Sequence, residues 1–232
     1  MPPFTPLLRP RSYFAEREIN FFRVMAVFAV LLFTGPMTIY GVGWVMTSHI
    51  DGTVTVDNPQ RPPDWFCENN DGCEEPERID RDVDTVIWDQ LDRLLGPSFI
   101  VYPLVLGILT VLLHGGAWLV GSDAGWFRSF GITAWGLLPS VLIVGLSLIG
   151  LWQVVDPVTI GAGDDIETAL APLEAQMRSF DTYRTVGTAL EAIWGGLIWR
   201  AGLREHHGLP NTAASVVAGI VAILLLAGTV LL

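Results

Sequence analysis

A chain of 232 residues that is 51% hydrophobic and 16% charged, with a mean hydropathy of +0.47, is too apolar for a soluble domain of this size. Its 24 acidic against 13 basic residues, a net charge of −11, leave no basic face for nucleic acid. Every basic residue is Arg and Lys is absent, which together with the acidic surplus fits a halophilic or high-GC origin. At molar salt the Debye length falls to about 3 Å, so acidic loops repel one another little.

The first ten residues contain four prolines, and residues 1–19 are expected to form a short cytoplasmic N-terminal arm. The apolar run that follows is too long for a signal core and has no small-residue cleavage pattern. It is the first of five such stretches, at 20–46, 98–120, 129–152, 186–203 and 212–232. A helix rises about 1.5 Å per residue, so about 20 apolar residues cross a hydrocarbon core of roughly 30 Å. The expected fold is therefore an all-α membrane protein: a bundle of five transmembrane helices forming one membrane domain over 20–232, with no room for a large soluble catalytic domain.

Two connections hold most of the acid. Residues 47–97 carry 13 acids and 4 Arg, and residues 153–185 carry 6 acids and 2 Arg. Arg9, Arg11, Arg17 and Arg23 precede the first stretch, and Arg200 and Arg204 flank the last turn. Arg beside the spans marks the cytoplasmic side. The expected topology is a multi-pass protein of the cell membrane, with its N-terminus cytoplasmic, both acidic loops outside and its C-terminus extracytoplasmic. Tyr40, Trp44, Tyr102 and Trp152 fall at the expected outer interface; Phe21, Phe22, Trp118, Trp126 and Trp199 fall at the inner one. Trp135 and Trp194 are deeper and expected between helices.

Each acidic loop contains an amphipathic stretch. In 84–95, Ile87, Trp88, Leu91, Leu94 and Leu95 share one helical face. In 164–184, Ile166, Leu170, Leu173, Met177 and Phe180 repeat at helical spacing, with Asp164 or Asp165 as cap and Pro172 as a candidate break. Both read as short amphipathic helices on the outer surface or on the bundle. Cys67 and Cys73, beside Asn69, Asn70, Asp71 and Gly72, suit a turn closed by a disulfide. Two free thiols, or a metal site borrowing Asp64 or Glu68, are the alternatives; no histidine is near and the spacing matches no standard zinc pattern.

Within the spans, Glu191 and His114 are the polar candidates. An ionisable group in a membrane segment is costly and marks a candidate functional site, but an acid that stays protonated, or that hydrogen-bonds a neighbouring helix near the interface, is the simpler reading of Glu191. His114, at a different depth, is expected to bond a backbone carbonyl. His206 and His207 read as a solvated pair completing a helix end. The glycines within the spans suit close helix packing, and Pro36, Pro103 and Pro139 are expected to kink or thin their helices. No nucleotide-binding glycine loop, HExxH, nucleophile elbow or metal-ligand cluster occurs. Neither an enzyme, a cofactor nor a bound metal is expected.

Three stretches resemble the Yip1 family of small polytopic membrane proteins. Pro10, Tyr13 and Phe14 in "RPRSYFAERE" resemble the proline–aromatic lead into its first helix. His114, Gly121, Gly125, Phe127, Trp135 and Pro139 occupy the family's places in "LLHGGAWLVGSDAGWFRSFGITAWGLLPS". "WRAGLREHHGLPNTAA" resembles its glycine turn between helices four and five. The resemblance implies five transmembrane helices, a cytoplasmic N-terminus, no known catalysis and, for eukaryotic relatives, small GTPases of the Rab type as partners. The short arm offers a GTPase little surface, so that partner is not carried over. The expected role is a non-enzymatic scaffold in the lipid bilayer, contacting other membrane proteins or itself. The alternative is a small-solute or ion transporter or channel using Glu191 and His114.

Overall fold

In the computed structural model, which describes residues 4–61, 66, 76–161 and 166–231, the elements run α1 (Pro10–Glu16), α2 (Phe21–His49), β1 (Ile50–Asp57), β2 (Arg78–Asp82), α3 (Val83–Leu119), α4 (Trp126–Val154), β3 (Val158–Ile160), α5 (Ile166–His207) and α6 (Asn211–Leu231). Helices α2, α3, α4 and α6 are long and apolar enough to cross a membrane. The fifth expected span, 186–203, lies in the second half of α5. That helix begins among the acids of the loop and carries Glu191 and Arg200 further on, so it is less apolar than the other four.

The two amphipathic stretches are not separate short helices. The stretch 84–95 is the first part of α3, and 166–184 is the first part of α5, whose backbone runs through Pro172 unbroken. A helix already nucleated by its membrane half extends at one hydrogen bond per added residue, so amphipathic flanks are recruited into it. The apolar face of 84–95 packs on α2: Trp88 meets Tyr40 at 5.4 Å between ring centroids, and Trp88 and Leu91 crowd the space beside Gly43.

The all-α expectation also needs correcting, because a three-stranded sheet of order β2-β1-β3 sits at the acidic end. β1 pairs antiparallel with β2, from Thr53 opposite Asp82 to Asp57 opposite Arg78, and parallel with β3, from Ile50 opposite Val158 to Gly52 opposite Ile160. β1 follows α2 directly, β2 leads into α3 and β3 follows α4, so the sheet ties three helix ends together. Ile50, Val54, Val83 and Ile160 form its small core. Gly52 has φ +128°, and a Cβ there would collide with the Ile160 carbonyl. Arg81 on β2 pairs with Asp89 on α3 at 2.8 Å. Beside the sheet, exposed Trp44 stacks on Trp152 at 4.5 Å.

Within the bundle, α4 packs most extensively on α5, α2 on α3 and α5 on α6. At the α4–α5 crossing, a Cβ on Gly136 would strike the Trp199 indole, and one on Gly195 would come within 2.6 Å of the Gly136 carbonyl oxygen. Trp199, expected at the inner interface, is instead fully buried and donates its indole N–H to the Thr133 carbonyl at 3.4 Å. Tyr102 is likewise half-buried against the core rather than exposed at the outer interface. Trp135 and Trp194 do lie between elements; Trp135 is buried, and Trp194 donates to the Leu7 carbonyl at 2.7 Å.

The prolines leave α2, α3 and α4 continuous. Beside three of them a hydroxyl serves a carbonyl of the preceding turn: Thr34 near Pro36 bonds Val30, Ser98 after Pro97 bonds Leu95, and Ser140 after Pro139 bonds Leu137.

The N-terminal arm does not stand free. Tyr13 and Phe14 of α1 are buried, Tyr13 edge-on to Trp135 at 5.4 Å and Phe14 edge-on to His206 at 5.5 Å. Burial raises the pKa of Tyr13, against the opposing influence of Arg23 and Arg17.

Candidate functional site

The glycine turn between α3 and α4 builds the most connected polar cluster. Gly121 has φ +92°, a left-handed conformation that favours glycine. Across it, the Gly121 N–H bonds the Trp118 carbonyl at 2.9 Å and the Ser122 N–H bonds the Ala117 carbonyl at 3.0 Å, the double closure of a Schellman motif. The turn aims Ser122 at the end of α5. A matching turn at Gly208, φ +68°, ends α5 there and starts α6.

Between these turns lies His207, 7% exposed rather than solvated as expected. Its Nδ1 is 2.9 Å from the Ser122 hydroxyl, and its Nε2 is 3.1 Å from the Ser129 hydroxyl. His114, expected to bond a backbone carbonyl, instead places Nδ1 3.0 Å from the same Ser129 hydroxyl. The Trp126 ring stands edge-on to the His114 ring at 5.1 Å.

One hydrogen-bond direction satisfies the whole set. Ser122 donates its single proton to the His207 carbonyl at 3.2 Å, so it accepts from His207 Nδ1–H. His207 Nε2 then carries the lone pair and accepts from Ser129. Ser129, its proton spent, accepts from His114 Nδ1–H. His207 is therefore a neutral Nδ1–H tautomer, linked through one serine to the Nδ1–H of His114. Burial first, then His114, Arg128 and His206, lowers the His207 pKa from 6.5 to about 4, in keeping with a ring held neutral. The His206 pKa is also lowered, by burial and then Arg128, whose guanidinium donates to the His206 carbonyl at 3.2 Å.

Glu191 belongs to a second cluster. The Tyr102 hydroxyl lies within electrostatic reach of the Glu191 carboxyl and beside Ser140. Ser140 gives its proton to the Leu137 carbonyl at 2.6 Å. Tyr102 and His114 are twelve residues apart on α3, about 18 Å along its axis. Glu191 and His114 are thus not brought together. Leu106, Leu109 and Leu113 of α3, with Ile198 and Trp199 of α5, fill the bundle between the two depths.

The remaining motif residues lie along the entry turn and first half of α4. Gly121 shapes the turn, Gly125 is the N-cap residue of α4, and Phe127 stacks on Phe21 at 5.8 Å. Trp135 receives Tyr13, and Pro139 is buried inside α4. Cys67 and Cys73 lie outside the described residues. Among the described residues, no group of three or more His, Cys, Asp or Glu is placed to hold a metal ion.

A Yip1 domain matches residues 7–232, almost the entire chain. The chain belongs to the Yip1 domain family. No curated protein and no solved structure matches it. Membership and the apolar helices make this Yip1 protein a multi-pass membrane protein seated in a lipid bilayer. Ser122, Ser129 and His207 complete the site around the motif residue His114; of these the sequence offers His207 only as one of a solvated pair. The serines are marked by position alone, Ser122 directly after Gly121 and Ser129 in the first turn of α4.

Proposed function

We propose that this Yip1 protein is a non-enzymatic scaffold that organises other membrane proteins, or copies of itself, in the cell membrane. It forms one membrane domain of five crossings, the fifth supplied by 186–203 of α5. The N-terminus is cytoplasmic, both acidic loops and the C-terminus are extracytoplasmic, and Cys67 and Cys73 form a disulfide outside. The observation carrying this reading is the filled interior: apolar side chains separate the Glu191 cluster from the His114 cluster, leaving no polar route between them among the described residues. The lipid-facing sides offer contact surface instead, with exposed Leu104, Ile108 and Val111 beside Gly107 and Gly115, where a Cβ would meet open space. A GTPase partner receives no support, since the aromatic face of the arm is spent on the bundle.

Transport through Glu191 and His114 is the competing reading, and one pair of measurements separates the two. In-membrane crosslinking through a Gly115→Cys reporter should recover a stable partner or a second copy. Proteoliposomes should show no proton or ion flux that Glu191→Gln abolishes; such a flux overturns the scaffold in favour of transport.

A further inference from the structure

A cleft where α1, α5 and α6 meet collects Arg11, Arg200 and Arg204 around Pro10, Ala201 and Asn211, with a volume of about 260 Å³. In a chain of net charge −11, three of the 13 arginines stand here together. Their charge is largely unspent. Arg200 and Arg204 both donate to the neutral Asn211 amide oxygen, at 3.3 and 3.4 Å, and among the described residues only Arg204 of the three has a carboxylate partner, Glu205, at 3.4 Å. Arg11 and Arg200 are exposed.

Leu197 and Arg200 also line a second cavity of about 360 Å³ that continues along the α5–α6 hairpin. Its walls are small or apolar, including Ala192, Gly196, Ala218 and Gly219. From Arg200 to Ala192 it runs eight residues, about 12 Å along the helix. A cationic pocket opening into an apolar channel matches a molecule with an anionic head and a hydrocarbon tail. Guanidinium groups suit phosphate because their forked N–H donors match its oxygens, and a groove of small residues admits a chain against the helix backbones.

We propose that this cleft binds an anionic phospholipid, its phosphate on Arg11, Arg200 and Arg204 and one acyl chain in the α5–α6 groove. The site rests on the α5–α6 hairpin lying in the bilayer, which accessibility labelling reports separately from lipid retention. Bound lipid would staple the arm to the last two helices in the leaflet that holds the Gly208 turn.

Native mass spectrometry of the full chain released from mild detergent tests this, with phosphatidylglycerol and phosphatidylcholine of identical acyl chains. Phosphatidylglycerol should be retained at about tenfold lower concentration, equivalent to about 1.4 kcal/mol. Arg200→Gln with Arg204→Gln should remove that preference, whereas Arg93→Gln at the acidic end should keep it. Because Arg200 and Arg204 also hold Asn211, Arg11→Gln, on the exposed face of α1, is the fold-sparing variant and should weaken retention several-fold. Gly219→Leu projects into open space and should block the chain while leaving the arginines in place. Equal retention of both lipids overturns the proposal, as does wild-type preference in the Arg11→Gln and Gly219→Leu variants. Glycerol phosphate competing as well as phosphatidylglycerol overturns it too, by reassigning the site to a soluble phosphate.

Discussion

Ser129 is the residue on which the inner cluster turns, because its one hydroxyl joins His114 to His207. Ser129→Ala leaves the buried His207 Nε2 without its donor and the His114 Nδ1–H without its acceptor. Leaving a buried polar group unsatisfied costs about 1–3 kcal/mol, which unfolding in detergent should register as a lower midpoint. The same ring sets a pH dependence. With a folded pKa of about 4 against 6.5, the unfolded chain binds the extra proton first as pH falls. The contribution of neutral His207 is therefore fully present above pH 6.5 and is lost as pH falls toward 4. Unfolding midpoints followed from pH 7.5 to 4.5 should fall more steeply in the wild type than in His207→Gln. Equal slopes would mean that His207 titrates normally in the folded protein.

Elements in this bundle are spaced by which glycines face protein and which face lipid. Gly136 and Gly195 let α4 and α5 approach until Trp199 closes over them, and overpacking such a crossing costs about 1–3 kcal/mol. Gly136→Ala and Gly195→Ala should each lower the thermal midpoint in detergent, while Gly107→Ala and Gly145→Ala, which meet open space, should not. Sequence alone ranks these four alike, since each is a glycine in an apolar run; only the crossing tells them apart. The spans themselves were legible because transfer into hydrocarbon depends on composition over a window, which survives any arrangement of neighbours. The inner cluster was less so: His114 and Gly121 emerged from a family-like pattern, but pairing His207 with Ser122 joins residues 85 apart in sequence. The sheet is less legible because β2 is short and charged, β3 is three residues long, and β1 follows α2 without a break, so that its Thr53–Val56 run of β-branched residues reads as a tail of the apolar stretch. Gly52 marks where β1 meets β3. Gly52→Ala should therefore loosen the acidic end, read as faster amide exchange in β1 and β3 with α5 and α6 unchanged.

The molecule has two chemically opposite ends. The sheet and the acids on and beside it, among them Asp51, Asp57, Asp80, Asp82 and Asp156, gather where α2, α3 and α4 approach the loops, while Arg11, Arg128, Arg200 and Arg204 cluster with the two glycine turns. Such a division suits helices that pass through the bilayer, and it supports the proposal that α5 crosses. Were α5 to lie on the surface, the acids near 161 and the arginines near 204 would share one side, in conflict with the bias of Arg toward the cytoplasm. Crossing places them apart, and α5 tolerates its lower apolarity because Ala192, Ile198, Trp199 and Leu203 face protein rather than lipid. With Cys67 and Cys73 replaced by Ser, single reporters at the exposed positions Gln60, Asp123, Gly161 and Thr212 read this out. An impermeant maleimide applied to intact cells should label Gln60→Cys and Gly161→Cys, and should reach Asp123→Cys and Thr212→Cys only after permeabilisation. Labelling of Gly161→Cys and Thr212→Cys from the same side would reduce the crossings to four and remove the bilayer from around the α5–α6 groove, whatever lipid the purified protein retains.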